Sequence, residues 1–210
     1  MLDGPDGAGK STQLSMLAEF LRGQSVDVIV ARDPGGTAVG DRIRAILLDR
    51  VHEEMSVRCE LMLYMASRAQ LADQVLRPAL AAGRCVLCDR YVSATIAYQG
   101  AGGIDAAMIR TVADVAVRGL WPDLTIILDI PSEEGLSRSG KGGGKDRMES
   151  KALEFHRKVR ESFLHQASES PEKFAVVDAS GDVEQVQRRL RRVLMAFCRR
   201  GAENAEIKKE

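Results

Sequence analysis

The chain has 210 residues, 45% of them hydrophobic and 29% charged, with 30 basic residues against 30 acidic ones. That length makes one large domain or two small ones and supports a sizeable core. Zero formal charge excludes a general nucleic-acid coat or a polybasic membrane protein, four scattered cysteines exclude a disulfide framework, and no apolar run reaches the ~20 residues of a membrane span.

In chain order, Met1 and Leu2 form a strand-like stub before a glycine loop. Ser11–Arg22 carries apolar residues at helical spacing, and Gly23 is a helix stop. Val26–Ala31 is short, apolar and β-branched, as a buried strand is. Val39–Leu48 has a helical pattern. A longer one runs over Val57–Ala82, with a bend expected before Pro78. Cys85–Cys88 is a strand ending at Asp89. Ala106–Arg118 is a helix, Leu124–Ile130 a strand, Lys151–Ala167 a helix, Phe174–Val177 a strand and Val183–Phe197 a helix. Strands alternating with helices predict an α/β fold in three layers: a parallel five-stranded sheet with helices on both faces. No linker divides the chain, so residues 1–210 are expected to form a single domain. The glycine-rich run from Gly140 to Lys145 reads as a flexible loop, and the polar tail from Gly201 to Glu210 as a frayed end. No signal peptide opens the chain, which leads us to expect a cytoplasmic protein.

Gly4-Pro5-Asp6-Gly7-Ala8-Gly9-Lys10-Ser11 fits the phosphate-binding pattern G-x-x-x-x-G-K-[ST]. Glycines let backbone N–H groups converge on phosphate oxygens, and the following helix points its positive end at the same place. Lys10 is expected on the β- and γ-phosphates and the Ser11 hydroxyl on Mg²⁺, with Thr12 completing the ATP-binding stretch. The bland alternative is a glycine turn that happens to end in Lys-Ser. The strand before it and the amphipathic helix after it favour the phosphate loop. No N-K-x-D segment marks a regulatory GTPase, and neither candidate strand ends in the acidic pair of a motor ATPase. Asp89-Arg90 at a strand's C-terminal end suits another task. The carboxylate can hold the Mg²⁺ shell while the guanidinium grips a second phosphate, as a small kinase requires.

Several motifs in order then resemble the thymidylate kinase family. They are the phosphate loop, Arg32-Asp33-Pro34-Gly35-Gly36-Thr37, Tyr64-Met65-Ala66-Ser67-Arg68, Asp89-Arg90-Tyr91, Ala97-Tyr98-Gln99-Gly100, Pro122-Asp123-Leu124 and Asp146-Arg147-Met148-Glu149. The resemblance covers about residues 3 to 180. It implies a P-loop nucleoside monophosphate kinase that moves the γ-phosphoryl group of ATP to dTMP with Mg²⁺, as a homodimer with a mobile lid over about residues 138–149. Carried onto this chain, Arg90 binds the dTMP phosphate and Asp89 organises Mg²⁺. Arg68 hydrogen-bonds the thymine carbonyl, Tyr64 stacks on the ring, and Thr95 is a polar contact to the base. Tyr98 lies against the deoxyribose, and Asp6 sits near the acceptor sugar and phosphate. Asp33 and Gln99 belong to the matching motifs as substrate contacts, with a cis peptide expected at Asp33–Pro34. Arg138 and Arg147 are the lid arginines that close over the phosphates, and Lys141 is a further lid cation.

The chemistry agrees with that inventory. A phosphate acceptor is already anionic, so alignment and charge neutralisation replace a general base. Read without the resemblance, Arg68 alone is equally an ordinary surface arginine, and Tyr64 alone is more often core. Cys85 and Cys88 have C-x-x-C spacing but no second ligand pair, so they read as structural thiols. His52, His156 and His165 receive no role. The arginines between Arg188 and Arg200 read as the solvated side of an amphipathic helix. Three departures from the family stand out: only Met1, Leu2 and Asp3 precede the glycine loop, glycines replace further lid arginines between Arg138 and Arg147, and Met148 replaces an aromatic residue. A kinase for dUMP, UMP or CMP is the nearest alternative, and a non-catalytic nucleotide switch a more distant one. No polymeric nucleic acid and no membrane is expected as a partner.

Overall fold

The computed structural model describes residues 1–139 and 146–207, except for the side chains of 201–207. The expected loop 140–145, with Lys141 and Lys145, lies outside the described residues.

Five parallel strands form one sheet in the order β2-β3-β1-β4-β5. They are β1 (Leu2–Asp3), β2 (Val28–Arg32), β3 (Cys85–Asp89), β4 (Thr125–Asp129) and β5 (Phe174–Asp178). Their side chains alternate between two cores, as the period of two requires. Leu87, Ile126 and Leu128 face helices α1 (Lys10–Gly23) and α9 (Val183–Ile207), joining Leu14, Leu17, Val186 and Leu190. Cys88 and Ile127 face the opposite layer. That layer holds α3 (Val57–Leu71), α5 (Val92–Ala101), α6 (Ala106–Val117) and α8 (Leu153–Glu169). Helices therefore cover both faces, and β3 and β4 bury apolar residues on both sides. Each fully buried leucine, such as Leu190, contributes roughly 1.5–3 kcal/mol of burial.

The central strand β1 is short, as expected, and spans two residues. Leu2 pairs with Asp89 on one side and Ile126 on the other, so the loops leaving β1 and β3 open side by side. The order turns about β1, and that crevice is where open α/β sheets bind ligands.

The long helical pattern is bent as anticipated. A π-helical turn at Ala72–Leu76 separates α3 from α4 (Arg77–Ala81), just before Pro78, which cannot donate to the helical ladder. Two helices are absent from the sequence pattern. Helix α5 is buried on every side from Val92 to Gln99, so it shows no polar stripe. Helix α7 (Ser132–Ser139) buries only Ser132 and Gly135, so it shows no apolar one. The expected frayed tail is corrected along its first part: α9 continues past Phe197 to Ile207, because the Ala- and Glu-rich segment favours helix. Helix α2 (Ala38–Leu48) lies as expected and is capped by the Thr37 hydroxyl, which accepts from Gly40 N–H.

Candidate active site

The phosphate loop spans Gly4 to Gly9 between β1 and α1. Gly9 caps the helix in the left-handed region, with φ 82°. Gly7 has φ +73°, and a Cβ there would collide with the Gly135 carbonyl group. A Cβ on Gly135 would in turn collide with the Asp6 carbonyl oxygen. Only glycine at both positions lets α7 lie against the loop. Pro5 and Ala8 are buried beneath it, while Ser11 and Thr12 are exposed on the first turn of α1.

The Lys10 ammonium donates to the Gly4 and Pro5 carbonyl oxygens at 3.1 and 2.7 Å. Burial, and then the Arg90 charge, lower its pKa to about 8. The Ser11 hydroxyl donates to Asp89 Oδ2 at 2.8 Å. These are hard oxygen donors beside a phosphate cradle, which fits Mg²⁺, an ion that keeps several waters and takes phosphate oxygens. No group of three His, Cys, Asp or Glu side chains that could hold a metal occurs among the described residues.

Arg90 reaches from the end of β3 into the same loop. Its own backbone is left-handed, with φ 67°, an uncommon state for a non-glycine residue. The guanidinium donates to Asp6 Oδ1 at 2.6 Å, to the Gly4 carbonyl oxygen at 3.2 Å and to the Tyr98 hydroxyl at 3.3 Å. It also lies 5.0 Å from the centre of the Tyr98 ring. Tyr98 donates its hydroxyl proton to Asp6 Oδ2 at 2.7 Å. Burial pushes the Asp6 carboxyl up, but Arg90, Lys10 and the Tyr98 hydroxyl outweigh it and hold the carboxyl below its ordinary range. Burial raises the Tyr98 hydroxyl well above its usual value.

Behind Arg90 sits a carboxylate that sequence reasoning missed. Asp3 is fully buried, 3.5 Å from Arg90, and accepts from Ser93 Oγ at 2.6 Å and from Gly4 N–H at 3.0 Å. A lone aspartate on a short strand stub carried no signal beyond its place beside the loop. His156 was likewise given no role, yet it is buried with Nδ1 3.9 Å from Asp6.

The other end of the cleft is built on α3 and α5. Arg68 is 1% exposed and donates through Nε to Asp33 Oδ2 at 2.5 Å. Its Nη2 donates to Thr95 Oγ1 at 2.9 Å and to the Tyr91 carbonyl oxygen at 3.0 Å. Among the described residues Nη1 meets only the Met65 sulfur, a weak acceptor, which leaves it available to a ligand carbonyl. Burial raises the Asp33 carboxyl despite the Arg68 charge. The Asp33–Pro34 peptide is cis. Asp33, Tyr64, Arg68, Thr95, Tyr98 and Gln99 all line one cavity of about 310 Å³, together with Asp6, Lys10, Ser11, Asp89 and Arg90. Thr95, Tyr98 and Gln99 fall on one face of α5 at i, i+3 and i+4. That spacing was the signal for the helix that an amphipathic pattern could not give. Burial also raises the Tyr64 phenol.

The two lid arginines differ from the rest. Arg138 is on α7, one turn beyond Gly135, where it donates to Glu134 Oε1 at 2.5 Å and to the Ala179 carbonyl oxygen at 3.3 Å. Arg147, expected in the lid that closes over the phosphates, lies here against Glu60 of α3. It is 5% exposed, ion-paired with Glu60, and donates to the Leu47 carbonyl oxygen at 2.8 Å. The buried Glu60 carboxylate needs a cation, and Arg147 supplies it. Met148 packs with Tyr98 and Phe163. Cys88 is buried in the core as a free thiol, while Cys85 is half-buried.

Known proteins resemble this chain over nearly its whole length. The family model of thymidylate kinase matches residues 2–190. A thymidylate kinase of Alcanivorax borkumensis is 45% identical over 194 residues, covering 92% of this chain and 93% of that protein. One from Pseudomonas fluorescens is 44% identical over 200 residues, covering 95% of each. A crystal structure of thymidylate kinase from Ehrlichia chaffeensis superposes with a TM-score of 0.75 at 29% identity, covering 92% of this chain and 96% of that one. A phosphate loop, an arginine reaching into it from the next strand and a base-sized cleft beside them thus occur in a chain whose match runs nearly end to end, and this chain belongs to the thymidylate kinase family.

Proposed function

We infer that the protein transfers the γ-phosphoryl group of ATP to dTMP. The bond between the γ-phosphorus and the β–γ bridging oxygen breaks. A new bond forms to an oxygen of the dTMP phosphate, giving ADP and dTDP. The observation that carries this reading is the meeting of two anion receptors in one cleft. Arg90, just past the end of β3, donates directly to Gly4 and Asp6 of the loop that holds Lys10. Donor and acceptor phosphates are thereby brought face to face, and no general base is needed.

In this reading the loop's N–H groups and Lys10 bind the β- and γ-phosphates, and Arg90 binds the acceptor phosphate as a fork. Asp6 holds Arg90 in place. Ser11 and Asp89 would hold Mg²⁺, which supplies charge neutralisation on the phosphate oxygens when bound. The thymine ring stacks on Tyr64, with Arg68 Nη1 donating to a ring carbonyl and Gln99 Oε1 accepting from the ring N3–H. Asp33 and Thr95 hold Arg68 in place. The Tyr98 ring occupies the space a 2′-hydroxyl would need. Arg138, with the segment to residue 149, acts as the lid of a single domain.

The active form is a homodimer in the cytoplasm. Its interface is drawn from exposed apolar side chains on neighbouring helices: Val39 and Ile46 on α2, Met62 on α3, Met108 and Val115 on α6. Val115→Asp with Met62→Asp should turn a dimer into a monomer by sedimentation. Coupled ADP release with ATP, Mg²⁺ and each of dTMP, dUMP, UMP, CMP and AMP tests the reaction itself. Preference for dTMP is expected, and equal turnover of UMP overturns the assignment.

A further inference from the structure

A buried carboxylate that the reaction does not use stands behind the base end of the cleft. Glu60, on α3, is 2% exposed. One of its oxygens accepts from Gln99 Nε2 at 2.7 Å, and the other is ion-paired with Arg147. Arg147 is anchored in turn by the Leu47 carbonyl oxygen at 2.8 Å through its side chain, and by the Leu48 carbonyl oxygen at 3.2 Å through its backbone N–H.

The polarity along this chain admits one direction. A guanidinium only donates and a carboxylate only accepts. Arg147 therefore donates to Glu60, and Glu60 draws the Gln99 NH₂ group toward itself. What remains of the amide is Oε1. It is buried without a hydrogen-bond partner among the described residues, on a residue that forms part of the cleft wall beside Arg68 and Thr95. An unrestrained glutamine could turn either its oxygen or its NH₂ to a ligand. Here it presents only an acceptor.

We propose that Glu60, held by Arg147, is a positioning residue that locks the Gln99 amide as an acceptor, so that the cleft selects pyrimidines with an N3–H over those with an N3 lone pair. The inference rests on the reading that Gln99 faces the base. Thymine and uracil carry the N3–H donor, whereas cytosine presents a lone pair there, against which a fixed carbonyl is repulsive. Discrimination of this kind, built on an unmatched buried polar group, is stronger than an apolar pocket can give. The same wiring ties base recognition to the segment after residue 145, since Asp146 and Met148 line the cleft on either side of Arg147.

The test uses the full chain and the steady-state kinetics of dTMP and dCMP. In Glu60→Gln the new amide must turn its oxygen to Arg147 and its NH₂ to Gln99. Gln99 then rotates and offers NH₂ to the base. The dTMP KM should rise by at least about 10-fold with kcat changed less than about 3-fold, and the dTMP-to-dCMP ratio of kcat/KM should fall by at least about 10-fold. In the swap Glu60→Gln with Gln99→Glu, every donor meets an acceptor again and a carboxylate oxygen faces the base. The dTMP KM should return to within about 3-fold of the wild type. An unchanged KM and base ratio in Glu60→Gln, or no recovery in the swap, overturns the proposal. If Glu60→Gln melts too low to assay, the swap still decides: a folded enzyme with near-normal KM supports the lock, and an unfolded or weakly binding one refutes it. Wild-type turnover of dTMP checks the underlying reading separately.

Discussion

The Arg90 guanidinium and the Asp6 carboxylate, 84 positions apart in sequence, meet at 2.6 Å and join the acceptor side of the cleft to the phosphate loop. The same carboxylate takes the Tyr98 hydroxyl proton on its other oxygen. One residue of the ATP loop thus positions the groups expected on dTMP.

Replacing Arg90 by Lys keeps the charge but removes the fork. A lysine cannot hold Asp6, the Gly4 carbonyl and a phosphate together. Hydrogen bonds to charged groups are worth about 1.5–3 kcal/mol, so kcat/KM for dTMP should fall by roughly 10- to 100-fold. The KM for ATP should change much less. Steady-state kinetics with each substrate varied in turn measures both, and an equal loss for the two substrates would contradict the assignment.

Tyr98 has two separable parts. Tyr98→Phe keeps the ring against Arg90 and Phe163 but leaves Asp6 Oδ2 without its donor. The preference for deoxyribose should survive, with a loss in kcat/KM of about 10-fold, the worth of one charged hydrogen bond. Tyr98→Ala opens space at the sugar, so the UMP-to-dUMP ratio of kcat/KM should rise. It should also melt at lower temperature, since truncating a buried aromatic ring costs about 3–5 kcal/mol. A ratio unchanged by Tyr98→Ala would remove Tyr98 from sugar selection.

Lys10 sets an alkaline limb. Its pKa in the free enzyme is about 8, lowered by burial and by Arg90. The ammonium is the form that binds phosphate, so kcat/KM for ATP should decline as pH rises through about 8. With ATP bound, the phosphates favour the ammonium and the decline in kcat should move to higher pH. The effect on stability has the opposite sign. Between about pH 8 and the ordinary lysine value of 10.5, the unfolded chain holds more protons at this site than the folded one. This group therefore makes the fold more stable as pH rises through that window. A kcat/KM profile that stays flat to pH 9.5 would show that the deprotonation does not matter.

Arg138 should act in turnover rather than in folding. Its ion pair with Glu134 is half-exposed, and such pairs contribute about 0–1 kcal/mol. Arg138→Ala should therefore barely move the melting temperature. If the side chain closes over the phosphates, kcat should drop at least about 10-fold with little change in the dTMP KM. Full kcat in this variant would remove Arg138 from the chemistry.

What the sequence determined by itself is local. Helical and strand periods placed most of the elements, because residues a few positions apart already share a face. The phosphate loop was legible for the same reason: its glycines, lysine and serine act within a single turn of chain. Asp89 and Arg90 were legible as the end of a strand. Tertiary structure alone decided the rest. The helix carrying Thr95, Tyr98 and Gln99 is buried all round, so no amphipathic stripe announced it. The fit of α7 depends on Gly7 meeting Gly135. Arg147 looked like any lid cation, yet it lies with Glu60, 87 positions away, beneath the base end of the cleft. Asp3 pairs across a similar span with Arg90. A buried charge must find an opposite one, but no spacing along the chain says which, since that choice falls to the packing that brings distant strands and helices together.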